Sequence, residues 1–286
     1  MGVKTGNYLY GGLSEVKKRS LIVAWLIVLT ACAWTPTVVW AVPLSLDQNI
    51  KTILANRAGS GDGFDFVVIG DSRDGMDIYG RLLNRAQALN PLFILNTGDF
   101  VKEGQAFEYE NYLRQISPGK IPILHLPGNH DVRYGPEAYR HYVGEANWYI
   151  DLGDVRLIGL DNAAGKFSEE AVVFARKMLT DRKICLVAFH TPPAVGRWAV
   201  HAMITDQQGG RGGEVLGLIK TAKVPMVFLG HIHLYDEMDM DGTRYIISAA
   251  GGAKLYEKYS IGKPEHGFVL VKVRPQGITH QWVALD

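Results

Sequence analysis

The chain has 286 residues, 47% of them hydrophobic and 21% charged, and a formal net charge of +1. Those proportions describe a globular protein and exclude a disordered, fibrous or collagen-like one. Lys4, Lys17, Lys18 and Arg19 against Glu15 put +3 on residues 1–41, which leaves the remainder near −2 by subtraction; a weakly acidic body is a poor polyanion binder, and nothing in it signals nucleic acid.

The first 41 residues read as a sorting address. Lys17-Lys18-Arg19 precede an apolar run over 21–33, and Val39-Trp40-Ala41 ends on a small-x-small exit. These are the parts of a secretory signal peptide cleaved after Ala41. Two other readings stand beside it. Leu29-Thr30-Ala31-Cys32 is similar to a bacterial lipobox, which would leave a lipoprotein on Cys32, although apolar residues follow where a polar tether is usual. The run over 21–41 is also long enough to remain as a membrane anchor. All three readings put the folded part outside the cytoplasm, secreted, periplasmic or attached to a membrane. Beyond Ala41 the one cysteine is Cys185, within the apolar run 184–189, so no internal disulfide forms and no thiol pair is offered to a metal.

Residues 42–63 read as a linker, with Pro43, a short amphipathic piece over 46–54, and Gly59-Ser60-Gly61-Asp62-Gly63. Those glycines precede a strand instead of following one, so they are not a phosphate loop. Residues 64–286 read as one domain. Apolar runs predict strands over 66–69, 92–95 and 121–126, alternating with helices over 76–89, 106–116 and 136–143. Such alternation implies parallel strands covered by helices. Strands over 148–152 and 155–160, split by Gly153-Asp154, predict a hairpin. A helix over 168–179, a strand over 184–189, an irregular stretch over 191–213, a helix over 215–221 and a strand over 224–229 follow. Three antiparallel strands over 244–248, 268–273 and 279–283 close the chain. The fold class is α/β: a two-sheet β-sandwich flanked by helices, four layers in the order αββα, with the site at the carboxyl ends of the strands.

Five turns share one form, an apolar run, usually a glycine, then metal-type ligands. They are Gly70-Asp71-Ser72-Arg73, Gly98-Asp99, Gly128-Asn129-His130-Asp131, His190-Thr191-Pro192 and Gly230-His231-Ile232-His233. Taken singly, each has a plain structural reading: the aspartates as helix N-caps, Asn129 as a left-handed turn residue, each histidine as a hydrogen-bonded loop residue. Together Asp71, Asp99, Asn129, His190, His231 and His233 offer oxygen and nitrogen without thiolate, a set suited to Mn, Fe, Zn or Ni. A carboxylate between two such ions would complete a clamp that turns water into hydroxide and neutralises a phosphoryl group. His130, beside Asn129, is placed to donate a proton to a leaving group. His125, inside a strand, reads as packed, and His201 and Arg211 as rim residues.

The order and spacing of these motifs resemble the calcineurin-like metallophosphoesterase family over about residues 64–235. The resemblance implies a dinuclear centre with Asp71 and His233 on the first metal, Asp99 bridging, and Asn129, His190 and His231 on the second. It implies phosphoester hydrolysis by a metal-bound hydroxide, with His130 assisting the leaving group, and places the closing strands in the second sheet. Two departures stand out. The family commonly has Asp-x-His at the first motif, whereas this chain has Arg73, a guanidinium that cannot ligate a metal and reads either as a grip on substrate phosphate or as a structural ion pair. Many members carry an aspartate where this chain has Lys102, leaving Asp131 and Glu103 as candidates to orient His130. Three functions follow: a phosphatase or phosphodiesterase, a single-metal hydrolase using Asp99, Asn129, His190 and His231, or a non-catalytic binding or anchored surface protein. The substrate classes run from small phosphate monoesters and diesters to nucleotides, phospholipids and phosphoproteins.

Overall fold

The computed structural model describes residues 45–58, 63–179, 182–201, 210–258 and 260–286. The N-terminal address, most of the glycine stretch before residue 63 and rim residues 202–209 lie outside the described residues. Helix α1 (Leu46–Ala58) leads into β1 (Phe64–Ile69), α2 (Met76–Ala88), β2 (Phe93–Asn96), α3 (Ala106–Ile116), β3 (Ile123–His125) and α4 (Glu137–Tyr142). The hairpin β4 (Trp148–Leu152) and β5 (Val155–Gly159) is followed by α5 (Glu169–Met178), β6 (Ile184–Ala188), a 3-10 segment (Gly196–His201), α6 (Gly212–Thr221) and β7 (Met226–Leu229). Four strands close the chain: β8 (Tyr235–Met240), β9 (Thr243–Ser248), β10 (Gly267–Arg274) and β11 (Gly277–Ala284). Among the described residues no helix is long and apolar enough to cross a membrane.

These strands form two mixed sheets, in the orders β11-β10-β1-β2-β3 and β4-β5-β6-β7-β9-β8. Both faces of the central strands are covered, so those strands are continuous apolar runs, as parallel strands buried on two sides require. Alternation then sorts the side chains. Phe66 and Val68 of β1, Leu186 and Ala188 of β6, and Phe228 of β7 share the core between the sheets. Val67 and Ile69 turn outward to Tyr79 and Leu82 of α2 and Tyr109 of α3. Cys185, Val187 and Val227 turn outward to Ala171 and Ala175 of α5 and Val215 of α6. Four layers result.

The closing strands differ from the expectation. β9 runs parallel to β7, and β10 and β11 leave the second sheet to extend the first, where β10 pairs antiparallel with β1. β8 was not anticipated: its residues, Tyr-Asp-Glu-Met-Asp-Met, are those of a charged edge strand and carry no apolar run. Within the stretch read as a linker, α1 buries Leu46 and Ile53 in the inter-sheet core. Asn49 Nδ2 donates to the Ile123 carbonyl at 2.9 Å, covering the outer edge of β3.

Candidate metal centre

All five turns stand at carboxyl ends of strands. Asp71, Asp99 and Asn129 follow β1, β2 and β3 of the first sheet; His190, His231 and His233 follow β6 and β7 of the second. Asp71, Asp99 and His231 hold left-handed backbone conformations, with φ of 57°, 56° and 73°. Non-glycine residues seldom adopt that region, and they concentrate where function demands it. Gly128 is required by close approach, because a Cβ there would stand 2.2 Å from Asp99 Oδ1.

The six proposed ligands converge. His190 Nδ1 donates to the Thr97 carbonyl at 2.8 Å, so Nε2 keeps its lone pair. That lone pair faces Asn129 Oδ1 at 3.2 Å, itself an acceptor, and His231 Nδ1 lies 2.9 Å from the same oxygen and 3.3 Å from His190 Nε2. Two acceptors so close repel unless a proton or cation lies between them. Donors around a tetrahedral ion with bonds of about 2.0–2.1 Å stand roughly 3.3 Å apart. The set therefore fits a divalent ion. Two groups of donor atoms gather more loosely, Asp99 with His190 and His231, and Asp71 with Asp99 and His233, each within 4.8 Å. Asp99 belongs to both.

Arg73 lies inside this centre. Its Nη2 is 3.4 Å from His233 Nε2, its Nε 3.6 Å from Asp99 Oδ2, and its Nη1 3.2 Å from Asp74 Oδ2. Of the two readings left open for it, the ion pair is present, and the position also faces the site. His130 is half-buried at the rim, and its Nδ1 donates to the Lys102 carbonyl at 2.6 Å. Neither side chain proposed to orient it does so. Glu103 pairs with Arg133, and the Asp131 oxygens accept from backbone N–H groups of Asp99, Phe100, Val101 and Gly128.

Other supporting groups escaped the sequence reading. Asn162 Oδ1 accepts from the backbone N–H of His190 and of Thr191, both at 2.9 Å, and so aims His190. The segment after β9 supplies the Lys254 carbonyl, which accepts a hydrogen bond from His233 Nδ1 at 2.8 Å, and the Tyr256 ring, stacked on His233 with centroids 4.5 Å apart. Asn162 had a signal, a polar residue just past the apolar end of β5. A carbonyl has none. His125 is buried as expected, and Arg211 pairs with Glu169 and Glu214. The side chain of His201 lies outside the described residues.

The electrostatics call for positive charge. Burial, then the neighbouring Asp99, holds the Asp71 carboxyl well above the usual carboxylate range. Burial would raise Asp99 too, but His190, His130, the His130 N–H and Arg73 outweigh it and bring Asp99 below its ordinary value. Burial lowers His190, and it lowers His233 to about 4, so both imidazoles present neutral lone pairs at neutral pH. Two buried carboxylates with neutral imidazoles and an amide are the surroundings of a cation.

Residues 64–235 match a family model described as calcineurin-like phosphoesterase. The chain is 29% identical over 171 residues to the 3',5'-cyclic adenosine monophosphate phosphodiesterase CpdA of Escherichia coli K12, covering 54% of this chain and 58% of that protein. It thus spans less than two thirds of that relative's length. It is 27% identical over 252 residues to the serine/threonine-protein phosphatase CPPED1 of Danio rerio, covering 76% and 79% of the two chains. Among solved structures, a dimetal phosphatase from Danio rerio superposes with a TM-score of 0.58 at 11% identity, over 78% of this chain and 99% of that one. The purple acid phosphatase PPD1 of yellow lupin gives 0.58 at 16%, over 80% and 53%. At such identities the structural likeness shows the fold.

Proposed function

This chain belongs to the calcineurin-like phosphoesterase family, and from that membership we propose that it is a metal-dependent hydrolase of phosphoesters, a phosphatase or phosphodiesterase. The observation that carries the reading is the cluster of His190 Nε2, Asn129 Oδ1 and His231 Nδ1 within hydrogen-bonding distances, although the first two are both acceptors, with Asp99 Oδ1 3.5 Å from His190 Nε2. Those residues would hold a divalent ion, Mn, Fe, Zn or Ni by the nitrogen and oxygen chemistry, which would supply Lewis acidity to water and to a phosphoryl oxygen. The remaining work falls to side chains. Arg73 offers a planar fork beside Asp99 for a phosphoryl oxygen. His130, its Nδ1 tied to the Lys102 carbonyl, is left with Nε2 as the nitrogen that hands over a proton. Water adds its oxygen to phosphorus and releases a proton to solvent, the bond from phosphorus to the leaving oxygen breaks, and His130, as the imidazolium with a proton on Nε2 as well as Nδ1, gives the Nε2 proton to that oxygen.

The test is hydrolysis of a nitrophenyl phosphate monoester and diester by protein loaded with Mn or Zn. Asp99→Ala is expected to abolish turnover nearly completely, since Asp99 belongs to both donor groups. His130→Ala is expected to lose about 10²–10⁴-fold with an alkyl leaving group and much less with nitrophenolate, which leaves without a proton. Equal and unimpaired rates in both variants would refute the assignment; a protein that binds the ion and cleaves neither ester is a binding module. From the N-terminal pattern alone we also propose that the folded part works outside the cytoplasm, which fractionation of the expressed full chain would check.

A further inference from the structure

We propose that Arg73 fills the half of the centre nearest Asp71 and His233, so that this chain holds one divalent ion, on Asp99, Asn129, His190 and His231, with the guanidinium as a fixed second cation. The inference deepens the hydrolase reading and rests on it for the site's purpose, but not for its geometry.

The two halves differ in what already satisfies their lone pairs. On the His190 side, His190 Nε2, Asn129 Oδ1 and His231 Nδ1 face one another, Asp99 Oδ1 accepts the His130 backbone N–H at 2.9 Å, and among the described residues no lysine or arginine side chain hydrogen-bonds Asn129. On the His233 side, Nδ1 donates its hydrogen bond to the Lys254 carbonyl, so Nε2 offers the lone pair a metal would need. Arg73 Nη2 already points an N–H at it from 3.4 Å. The same guanidinium sets Nε 3.6 Å from Asp99 Oδ2, the carboxylate oxygen on that side. Arg73 is not a passing surface residue: its side chain is only 15% exposed, and its backbone N–H donates to the Asp99 carbonyl at 3.0 Å.

One residue type thus makes two changes together. It removes the imidazole that the family commonly places two residues after Asp71, and it brings a permanent positive charge to the ligands that remain. A second doubly charged ion would need the His233 lone pair and Asp99 Oδ2 that Arg73 now faces, and would stand against a like charge at contact distance. With one ion and one guanidinium, three positive charges stand against the two buried carboxylates of Asp71 and Asp99, an excess that favours a phosphoryl anion, and a phosphoryl oxygen on the Arg73 side meets a hydrogen-bonding fork.

Ion content and electron paramagnetic resonance of the full chain, loaded with Mn(II) and desalted, test this. The wild type is expected to retain one ion per chain with the spectrum of isolated Mn(II). Arg73→His, which restores Asp-x-His, is expected to retain two and to show an exchange-coupled pair. If Arg73→His does not fold, Arg73→Ala is read for the same gain. His190→Ala is expected to lose the ion, and His233→Ala to keep it. Two ions or a coupled spectrum in the wild type overturn the proposal. So do a count that stays at one in the folded Arg73 variant, or an ion kept by His190→Ala and lost by His233→Ala. A count of one in a protein that cleaves no phosphoester removes the hydrolase reading alone, a count of two in an active enzyme removes this one alone, and no ion in an inactive wild type removes both.

Discussion

Asp131 accepts four backbone N–H groups, those of Asp99 and Gly128 on Oδ2 and those of Phe100 and Val101 on Oδ1, at 2.7 to 3.0 Å. The carboxylate therefore ties the turn after β2 to the turn after β3 and fixes where the Asp99 and Asn129 side chains begin. Asp131→Asn replaces one acceptor oxygen by an NH₂ that confronts two N–H donors in a buried place. We expect it to cost about 2–4 kcal/mol, read as a lower urea midpoint, because buried donors left without partners forfeit their solvation. His130→Ala, on the half-buried neighbour, should stay within about 0.5 kcal/mol. The motif made both residues visible in the sequence, yet the partner that orients His130 is the Lys102 carbonyl. Every residue has a carbonyl, so no side-chain pattern could reveal it. His125 gives a second test. Burial pushes its pKa from 6.5 down to about 3, while Tyr112 Oη hydrogen-bonds Nε2 at 2.8 Å. The folded chain keeps this ring neutral where the unfolded chain takes up a proton, so unfolding binds a proton between those two values. Stability contributed by the neutral ring is full above about pH 6.5 and is lost as pH falls toward 3, at up to about 1.4 kcal/mol per pH unit. Urea titrations of metal-free protein at pH 7 and pH 5 should show that slope, and His125→Gln should flatten it; an unchanged slope would show that another group carries the acid sensitivity.

Elements whose pattern is local could be read directly from the sequence. The Gly153-Asp154 turn brings Leu152 opposite Val155, the register a two-residue connection dictates. α3 begins where Gln105 and Glu108 form a capping box, and Glu108 Oε2 accepts from both Glu103 and Gln105 backbone N–H groups. β8 was illegible because its partner decides it: an acidic stretch becomes a strand only once β9 offers a ladder. α1 lies between the two cases. Its amphipathic spacing was visible, but its use was not, since the groove it fills is built by β3 and β4, residues far along the chain. The helix makes a sharp prediction. Ile53→Ala should cost about 2–5 kcal/mol, the range for a large side chain removed from a packed core, whereas Leu54→Ala, 43% exposed, should cost less than about 0.5 kcal/mol. Chemical denaturation of both variants decides between α1 as part of the domain and α1 as a tether, since a tether would tolerate both changes equally.

At the scale of the molecule, the donors divide evenly between the sheets. Asp71, Asp99 and Asn129 come from the first, and His190, His231 and His233 from the second. The sequence supplied the candidate donors and the two-sheet expectation, but not which sheet each closing strand would join, because β10 pairs with β1 across some two hundred residues and β11 pairs with β10. Apolar periodicity says which face of a strand is buried and is silent about its neighbour. The divided donor set has a mechanical consequence that is independent of catalysis. The proposed ion, held by Asp99 and Asn129 on one side and by His190 and His231 on the other, would fasten the two sheets together at the carboxyl ends of their strands. Unfolding must release it, so its binding free energy adds to stability as RT ln(1 + [L]/Kd), about 4 kcal/mol at a thousandfold excess over Kd. At about 2–4 °C per kcal/mol for a domain of this size, stripping the protein with a chelator should lower its melting temperature by roughly 8–16 °C. Readdition of Mn or Zn should restore it in wild type and in His130→Ala, which leaves the donors untouched, but not in Asp99→Ala. A melting temperature indifferent to the chelator would mean that no ion bridges the sheets.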